Sequence, residues 1–424
     1  MTISIRTSVT LLVVMMIVLV SVTSDTKAAP SDPDVSFGVG GTTFYDTFPL
    51  VSSMAPNNQY YSCCHLTQQA DGKTIVAGAT DTDKMLKVIR FNVDGTVDLT
   101  YGLSGQAVMS AFPSIFVYGI PLSIKIDRYG KLLVAGYFVN TITGLQHFSI
   151  WRFNTNGLLD TTFGNEGRVA WIDTVDSRAA AITTYQDTIF VLRWADLPGL
   201  SDTTVHALNN DGASSALFGG SGLGKITIND AEDLAIQPVS NKLLVATKND
   251  VRRYSLQGTA DTTFGTQGVA SLCAIASPGV ISLSRMAVQA NGKIVAARTL
   301  NTVQVSWGFY SHSFTKLTDR GRLDNTFDGN GCQGHESYWD IDADVSGIAR
   351  SVRIQTDGRI VTSSNRRYNV DGSVDTTYFP WNRLQTQDVW IQQHDGRIVS
   401  LAASDNSAFQ SIVRKDYFLN RFLP

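Results

Sequence analysis

The sequence predicts an all-β fold, a seven-bladed β-propeller closed by pairing of its N- and C-terminal segments. Three observations carry that expectation. The stretch Leu159-Asp160-Thr161-Thr162-Phe163-Gly164-Asn165-Glu166-Gly167 returns in near-copies along the chain. Short turns built on Asn-Gly or Asp-Gly punctuate β-branched runs between the copies, and such turns suit hairpins because Gly and Asn tolerate the positive φ they need. One copy, Asp34 to Gly41, stands at the front with no hairpin before it, while the last unit ends at Pro424 without a copy of its own.

Taken in order, residues 1–28 read as a signal peptide. Arg6 supplies the positive end, Leu11 to Val20 is an unbroken apolar run, and Ser24, Ala28 and Ala29 are small enough for cleavage. The run falls short of the roughly 20 residues that span a bilayer, so no stable membrane span is expected after processing and the setting is secreted or extracytoplasmic. Residues 29–33 are a short linker, and 34–424 form one propeller domain.

The first full unit begins with the turn Asp71-Gly72, continues through a second turn at Asp94-Gly95, and ends in Asp98-Leu99-Thr100-Tyr101-Gly102. The first turn recurs at Tyr129-Gly130, Asp187-Thr188, Asn241-Lys242, Asn291-Gly292, Asp357-Gly358 and Asp395-Gly396. The second recurs at Asn156-Gly157, Asp211-Gly212, Gln257-Gly258, Arg320-Gly321 and Asp371-Gly372. Seven units at about 55 residues each match a four-stranded blade better than the shorter helical repeats. The orphan tail at Asp34 supplies what the seventh unit lacks, which would remove the exposed sheet edge of an open ring.

The pattern Gln-x-Asp-Gly-Lys, then Arg-Phe-Asn-x-Asp-Gly, then Leu-Asp-Thr-Thr-Phe-Gly, best seen at residues 69–78, 151–167 and 366–377, resembles the delta-60 repeat family of secreted propeller-like proteins. The resemblance implies a β-propeller outside the cytoplasm. It implies no shared activity and transfers no catalytic residue.

Five units hold a basic residue followed eight positions later by Asp: Arg90 and Asp98, Arg152 and Asp160, Arg253 and Asp261, Lys316 and Asp324, Arg367 and Asp375. Across a tight hairpin these positions fall on facing strands, so a charge-assisted cross-strand bond is expected. The third unit has Ala207 and Ser215 instead. For the seventh, ring closure pairs Arg414 with Asp34. A residue type repeated in nearly every blade points to scaffold, and so does the Gln before the first turn at Gln69, Gln289, Gln355 and Gln393, with Gln237 one step away.

Function is expected where the repeat breaks, because loops carry binding and catalysis. Trp307, Phe309, Tyr310 and Tyr338 are the candidate ligand contacts, since exposed aromatics stack on sugars and peptides. Asp340, Asp342 and Asp344 alternate, and on a strand they would share a face and hold a calcium ion between them; no other cofactor is called for. Cys63, Cys64 and His65 lack a second cluster at zinc spacing. His335-Glu336 lacks a second His, and neither Gly-x-Ser-x-Gly nor a phosphate-binding glycine loop occurs. Four cysteines are too few for a disulfide framework, and Cys273 with Cys332 is the most reasonable pair. Net charge is −3 with no basic run, so nucleic acid is not an expected partner. The expectation is a monomeric binding scaffold for a protein or carbohydrate. The alternative is a secreted hydrolase or lyase using His312, His335, Glu336 or Asp342 around a cation.

Overall fold

A computed structural model describes residues 32–45, 64–79, 85–109, 116–197, 200–274, 280–302, 309–335, 351–363, 366–378, 385–391, 395–405 and 415–423. Seven antiparallel sheets form a β-propeller, and no helix occurs among the described residues. The first blade is a meander of Cys64–Gln68, Thr74–Ala79, Leu86–Phe91 and Gln106–Val108. Blades two to five repeat it, opening at Phe116–Ile126, Ser177–Tyr185, Ala231–Gln237 and Val280–Val288. The sixth shows three strands, Val352–Ile354, Ile360–Thr362 and Arg366–Tyr368. The opening strands neighbour one another around the axis, and the ring returns from Gln385–Ile391 of the seventh blade to Cys64–Gln68 of the first.

The seventh blade is built from both ends of the chain. Gln385–Ile391, Ile398–Asp405 and Lys415–Phe422 are followed in the sheet by Thr42–Tyr45, which pairs Thr42 with Asn420 and Tyr45 with Tyr417. Closure by the orphan tail is therefore a feature of the sheet itself.

Middle strands do not alternate apolar and polar residues because both of their faces are covered. Thr74–Ala79 is buried at all six positions. Its Ile75 packs with Val88 and Tyr101 against Leu132, Val134 and Trp151 of the second blade. Leu66, Val76 and Ile89 pack with Phe37 against Val399, Leu401 and Leu419 of the seventh. Each such side chain contributes about 1.5–3 kcal/mol on burial, so the seams between blades are the core.

The turn glycines have a second task beyond positive φ. Gly157, at φ +84°, sits on the Tyr101 ring of the preceding blade, and a Cβ there would lie 2.9 Å from ring carbons. Its neighbour Asn156 accepts the Gly102 N–H at 2.6 Å. The same tail-to-turn bond runs from Gly38 to Asp94, Gly164 to Asp211, Gly219 to Gln257, Gly265 to Arg320 and Asp328 to Asp371. The strand order thus places first turns, second turns and tails on one end of the ring, the turn face. Cys273 and Cys332 form a disulfide, Cα–Cα 5.7 Å, that joins the segment after the fourth blade to the outer strand of the fifth.

Candidate functional site

The repeated charges act on the turn face. Arg152, only 2% exposed, donates from Nε to Asp160 Oδ2 at 2.6 Å. The same bond joins Arg90 to Asp98 at 2.8 Å, Arg253 to Asp261 at 2.9 Å and Arg367 to Asp375 at 2.8 Å. Lys316, whose single ammonium must serve two partners, stands 4.0 Å from Asp324 and donates to the Val370 carbonyl at 3.0 Å.

Three of these guanidinium groups also cross a seam. Nη1 of Arg90 donates to Thr155 O at 2.7 Å, Nη1 of Arg253 to Asp319 O at 2.9 Å, and Nη1 of Arg152 to Asn210 O. The ring of the tail aromatic lies beneath: Tyr101 under Arg90 at 4.5 Å, Phe163 under Arg152 at 4.5 Å, Phe264 under Arg253 at 4.6 Å. A planar, multiply donating cation is what this geometry selects. Gln237 and Gln355 add to the seams, donating to the next blade's first turn at Gly292 O (2.7 Å) and Gly396 O (3.0 Å).

Asp34 corrects the expectation that ring closure uses Arg414. Its Oδ2 accepts from Arg421 Nε at 2.7 Å, and Arg414 lies outside the described residues. The reason is register: Arg421 stands opposite Val399 as Arg90 stands opposite Ile75, and an Asp eight residues later would lie beyond Pro424. Arg421-Phe422, matching Arg90-Phe91, is the signal in the sequence that marks it.

Each tail Asp has a second cation that the eight-residue spacing does not reveal. Lys73 reaches Asp98, Lys131 reaches Asp160 and Lys293 reaches Asp324, all within 2.8 Å, and Arg397 reaches Asp34 at 3.1 Å. These cations follow the first turn, so Gly-Lys or Gly-Arg there was the available signal. The other oxygen, Oδ1, accepts from the hydroxyl two residues on, as in Thr100, Thr162 and Thr377. Burial works to raise these carboxyls, but the bonds from lysine and threonine and the arginine charge outweigh it and hold Asp98 and Asp160 well below the usual carboxylate range.

A depressed folded pKa contributes stability that is present above the unfolded value of about 3.9 and is lost as pH falls through the folded one. Asp34, Asp261, Asp324 and Asp375 are lowered likewise. Thermal midpoints are therefore expected to hold from neutrality to about pH 4 and then to fall steeply, and an Asp160→Asn variant is expected to show a shallower acid slope.

With the repeated charges committed to the scaffold, the ionisable groups outside the repeat gather on the opening strands around the axis. Lys125 of the second blade interacts with Asp233 of the fourth and Arg353 of the sixth, and Asp233 interacts with Arg285 of the fifth. Blades two, four and six share no seam, so these charges act on one another across the ring. All four are half-buried. Asp233 accepts from the N–H of Leu234 and, across the seam, of Met286, both at 2.9 Å, yet desolvation raises its pKa.

Next to it Glu232 falls where the strand register shifts between Ala231 and Asp233. It is 3% exposed, its Oε2 has no hydrogen-bond partner among the described residues, and burial pushes its pKa up to about 7 against the pull of Arg285 and Lys248. Sequence reasoning missed this group because Ala231-Glu232-Asp233 resembles any acidic surface pair until the ring turns it inward.

A second cluster lies between blades two and three. Asp173 Oδ2 accepts from Ser177 Oγ at 2.5 Å and Arg193 Nη2 at 2.9 Å, and the Asp173 N–H donates to His147 Nδ1 at 3.3 Å. Trp171 stacks on Phe148 at 4.0 Å with His206 4.5 Å away. Burial pushes His206 down to about 3, so it stays neutral. Ser177 is buried, its Oγ accepting from the Phe148 N–H and donating to the Asp173 carboxylate, which makes this a strap for the blade connection.

Of the residues named from the sequence as ligand contacts, Phe309 and Tyr310 stand opposite Thr302 and Asn301 in the fifth blade. Trp307 and Tyr338 lie outside the described residues, as do Asp340, Asp342, Asp344, Glu336 and Cys63. His312 and His335 are register partners on the outer strands of that blade. Among the described residues no group of three His, Cys, Asp or Glu is placed to hold a metal ion, and no helix is long and apolar enough to cross a membrane.

The family model of a β-propeller domain of unknown function (DUF5122) matches residues 69–101 and 130–163, segments that lie in the first and second blades. No curated protein sequence matches the chain. Among solved structures it is similar to the Pan2 WD40 domain of Neurospora crassa, at 9% identity and TM-score 0.46 over 85% of this chain and 88% of that one. It is also similar to the GH93 α-L-arabinofuranosidase of Fusarium graminearum, at 10% identity and TM-score 0.44 over 90% and 98%. The α-L-arabinanase of Penicillium chrysogenum is similar at 8% and TM-score 0.41, over 89% and 98%. Likenesses at these identities concern the fold and carry nothing about chemistry.

Proposed function

We propose that this protein is an exported, monomeric propeller of the delta-60 repeat kind that acts as a binding scaffold for a protein or carbohydrate ligand. The observation that carries the reading is that ionisable groups outside the repeat, Lys125, Asp233, Arg285 and Arg353, stand on the opening strands and act on one another electrostatically, while the repeated charges of the turn face are consumed in holding blades together. Propellers enclose a central channel, and polar groups converging there can orient a ligand. Export rests on the apolar run Leu11 to Val20 with its small-residue cleavage sites.

The test is capture on glycan and peptide arrays, comparing the protein with Asp233→Asn at the axis and Leu99→Ser on the turn face. Binding is expected to fall with the first change and to survive the second. Binding that ignores the axial change, or that is lost with Leu99, would place the ligand elsewhere. A second reading, a secreted hydrolase or lyase, is favoured by one observation, the buried Glu232 with its pKa near neutrality beside Asp233. Turnover abolished by Glu232→Gln, with a pH profile that follows this group, would select it.

A further inference from the structure

We propose that the outer edge of the sixth blade, along Arg366–Tyr368, is a docking site for an extended segment of a partner protein, which joins the sheet as its fourth strand. The inference goes beyond the reading above and does not depend on the axial groups. Six of the sheets have four strands, whereas Val352–Ile354, Ile360–Thr362 and Arg366–Tyr368 make a sheet of three among the described residues.

The cause lies in the sequence. In five blades the fourth strand begins five residues after the tail aromatic, at Thr42, Gln106, Arg168, Val269 and Cys332. After Tyr378 that position is Arg383, and Gln385 is already paired with Ala403 in the next blade. Both tail glycines are missing too, with Phe379 where blades seven, one and two have Gly38, Gly102 and Gly164, and Asn382 where they have Gly41, Gly105 and Gly167. The sixth tail therefore has no residues to lay along the edge of its own blade.

What this edge lacks is visible at Arg367. Its counterparts Arg90, Arg152, Ala207, Arg253, Lys316 and Arg421 each donate the backbone N–H to the glycine before the fourth strand, at 2.9 to 3.4 Å. Arg367 holds the same register, opposite Val361 as Arg90 is opposite Ile75, and its carbonyl accepts the Asp375 N–H at 2.9 Å just as the Arg90 carbonyl accepts from Asp98. Its own N–H therefore points out of the sheet, and it meets no acceptor among the described residues. The guanidinium is 1% exposed, and its Nη2 has no partner among them either. The seam beyond is correspondingly thin. Val361, Tyr378, Ile398 and Phe422 form its buried cluster, whereas the seams after blades one, two and four also take in Ala107, Val169 and Ala270 from the middle of the fourth strand.

The sister blades specify the occupant. It runs antiparallel to Arg366–Tyr368, offers a carbonyl to the Arg367 N–H, and carries a small or β-branched apolar side chain at its middle position, as Ala107, Val169, Ile226 and Ala270 do. Main-chain bonds then give affinity and the seam pocket gives specificity, as in strand addition generally. The strand need not be contiguous, since Thr42–Tyr45 joins Lys415–Phe422 from the other end of the chain. Within residues 1–424, however, the described tails are used in their own sheets. Outside the described residues glycine occurs only at Gly199, Gly279, Gly308 and Gly347, each within five residues of the strand it leads into, so no spare Gly-x-apolar segment remains. The segment comes from another protein.

The experiment follows amide exchange in the whole chain and titrates it with a synthetic peptide of residues 164–172, the second blade's tail and fourth strand. The Arg367 amide is expected to exchange at least about tenfold faster than those of Arg152 and Arg253, which are bonded to glycine carbonyls. The peptide is expected to bind saturably, to slow Arg367 and to raise the thermal midpoint. A Val169→Pro version of the peptide cannot donate to the ladder at that residue and is expected to bind about tenfold more weakly, as loss of one hydrogen bond predicts. Replacing residues 379–384 by residues 164–176 completes the blade in cis and is expected to abolish peptide binding; should that chain fold poorly, the two peptides decide by themselves.

An Arg367 amide as slow as that of Arg152 in a monomer would mean that this chain covers its own edge, and in a dimer that a second copy does. Either result overturns the proposal. Equal binding of the two peptides, or no binding of the first, overturns it as well.

Discussion

Replacing Asp34 by Ala is expected to remove about 3–5 kcal/mol of folding stability, the usual cost of stranding one member of a buried ion pair. Asp34 is held by Arg421 at 2.7 Å and Arg397 at 3.1 Å, while its own N–H donates to the Arg421 carbonyl at 2.9 Å. The pair is separated by 387 residues, so once its side-chain bonds go only the strand ladder, the backbone bond and the packing of Phe37 keep Thr42–Tyr45 on the seventh sheet. In Asp375→Ala the same kinds of bond are lost, but the partner Arg367 is only eight residues away and the strand stays in place. Asp34→Ala should therefore show a lower urea midpoint than Asp375→Ala, and early proteolytic cutting near the N-terminus. Equal midpoints and equal protease resistance would mean that the closing pair does not hold the ring shut.

Arg152→Ala is expected to cost a similar 3–5 kcal/mol or so by the same reasoning. It removes the bond to Asp160, the seam contacts to Asn210 and the cation over Phe163 together. Asp160→Ala removes the carboxylate but leaves the seam contacts. In a double-mutant cycle the two are expected to fall short of additivity by about 0.5–3 kcal/mol. Additive losses, read from urea unfolding, would show that they act independently. Lys131 remains 2.8 Å from Asp160 in Arg152→Ala and limits the damage, so Lys131→Ala in that background should cost more than it does in the parent.

The third blade is a natural version of this experiment. It lacks both charges, yet Ser215 N–H still donates to Ala207 O at 2.8 Å and Gly219 still reaches Gln257 at 2.8 Å. Backbone bonds set the blade's path, and the charged staple adds stability to it. That division explains why a repeat can lose the pair without losing its place in the ring.

Much of the fold is legible in the sequence because its determinants are local. Asp-Gly and Asn-Gly turns, tails with Phe-Gly and the orphan copy at Asp34 are short-range signals, and each acts within one hairpin or one tail. The eight-residue spacing of Arg152 and Asp160 is equally local, since both flank one turn. Arg421 was harder to read because its partner comes 387 residues earlier, and counting forward from a basic residue cannot find it. Lys131 was harder still, being brought to Asp160 from the other hairpin of its blade.

By itself, then, the sequence determined a seven-unit β-propeller closed by its two ends, because periodic turns and strands are encoded within each repeat. Only the tertiary structure decided which charges are spent on the scaffold and which are left over. Lys125, Asp233 and Arg353 come from three units that share no turn, seam or spacing rule. Their charges act on one another because the ring closes, and closure is a long-range event whose geometry no single repeat contains.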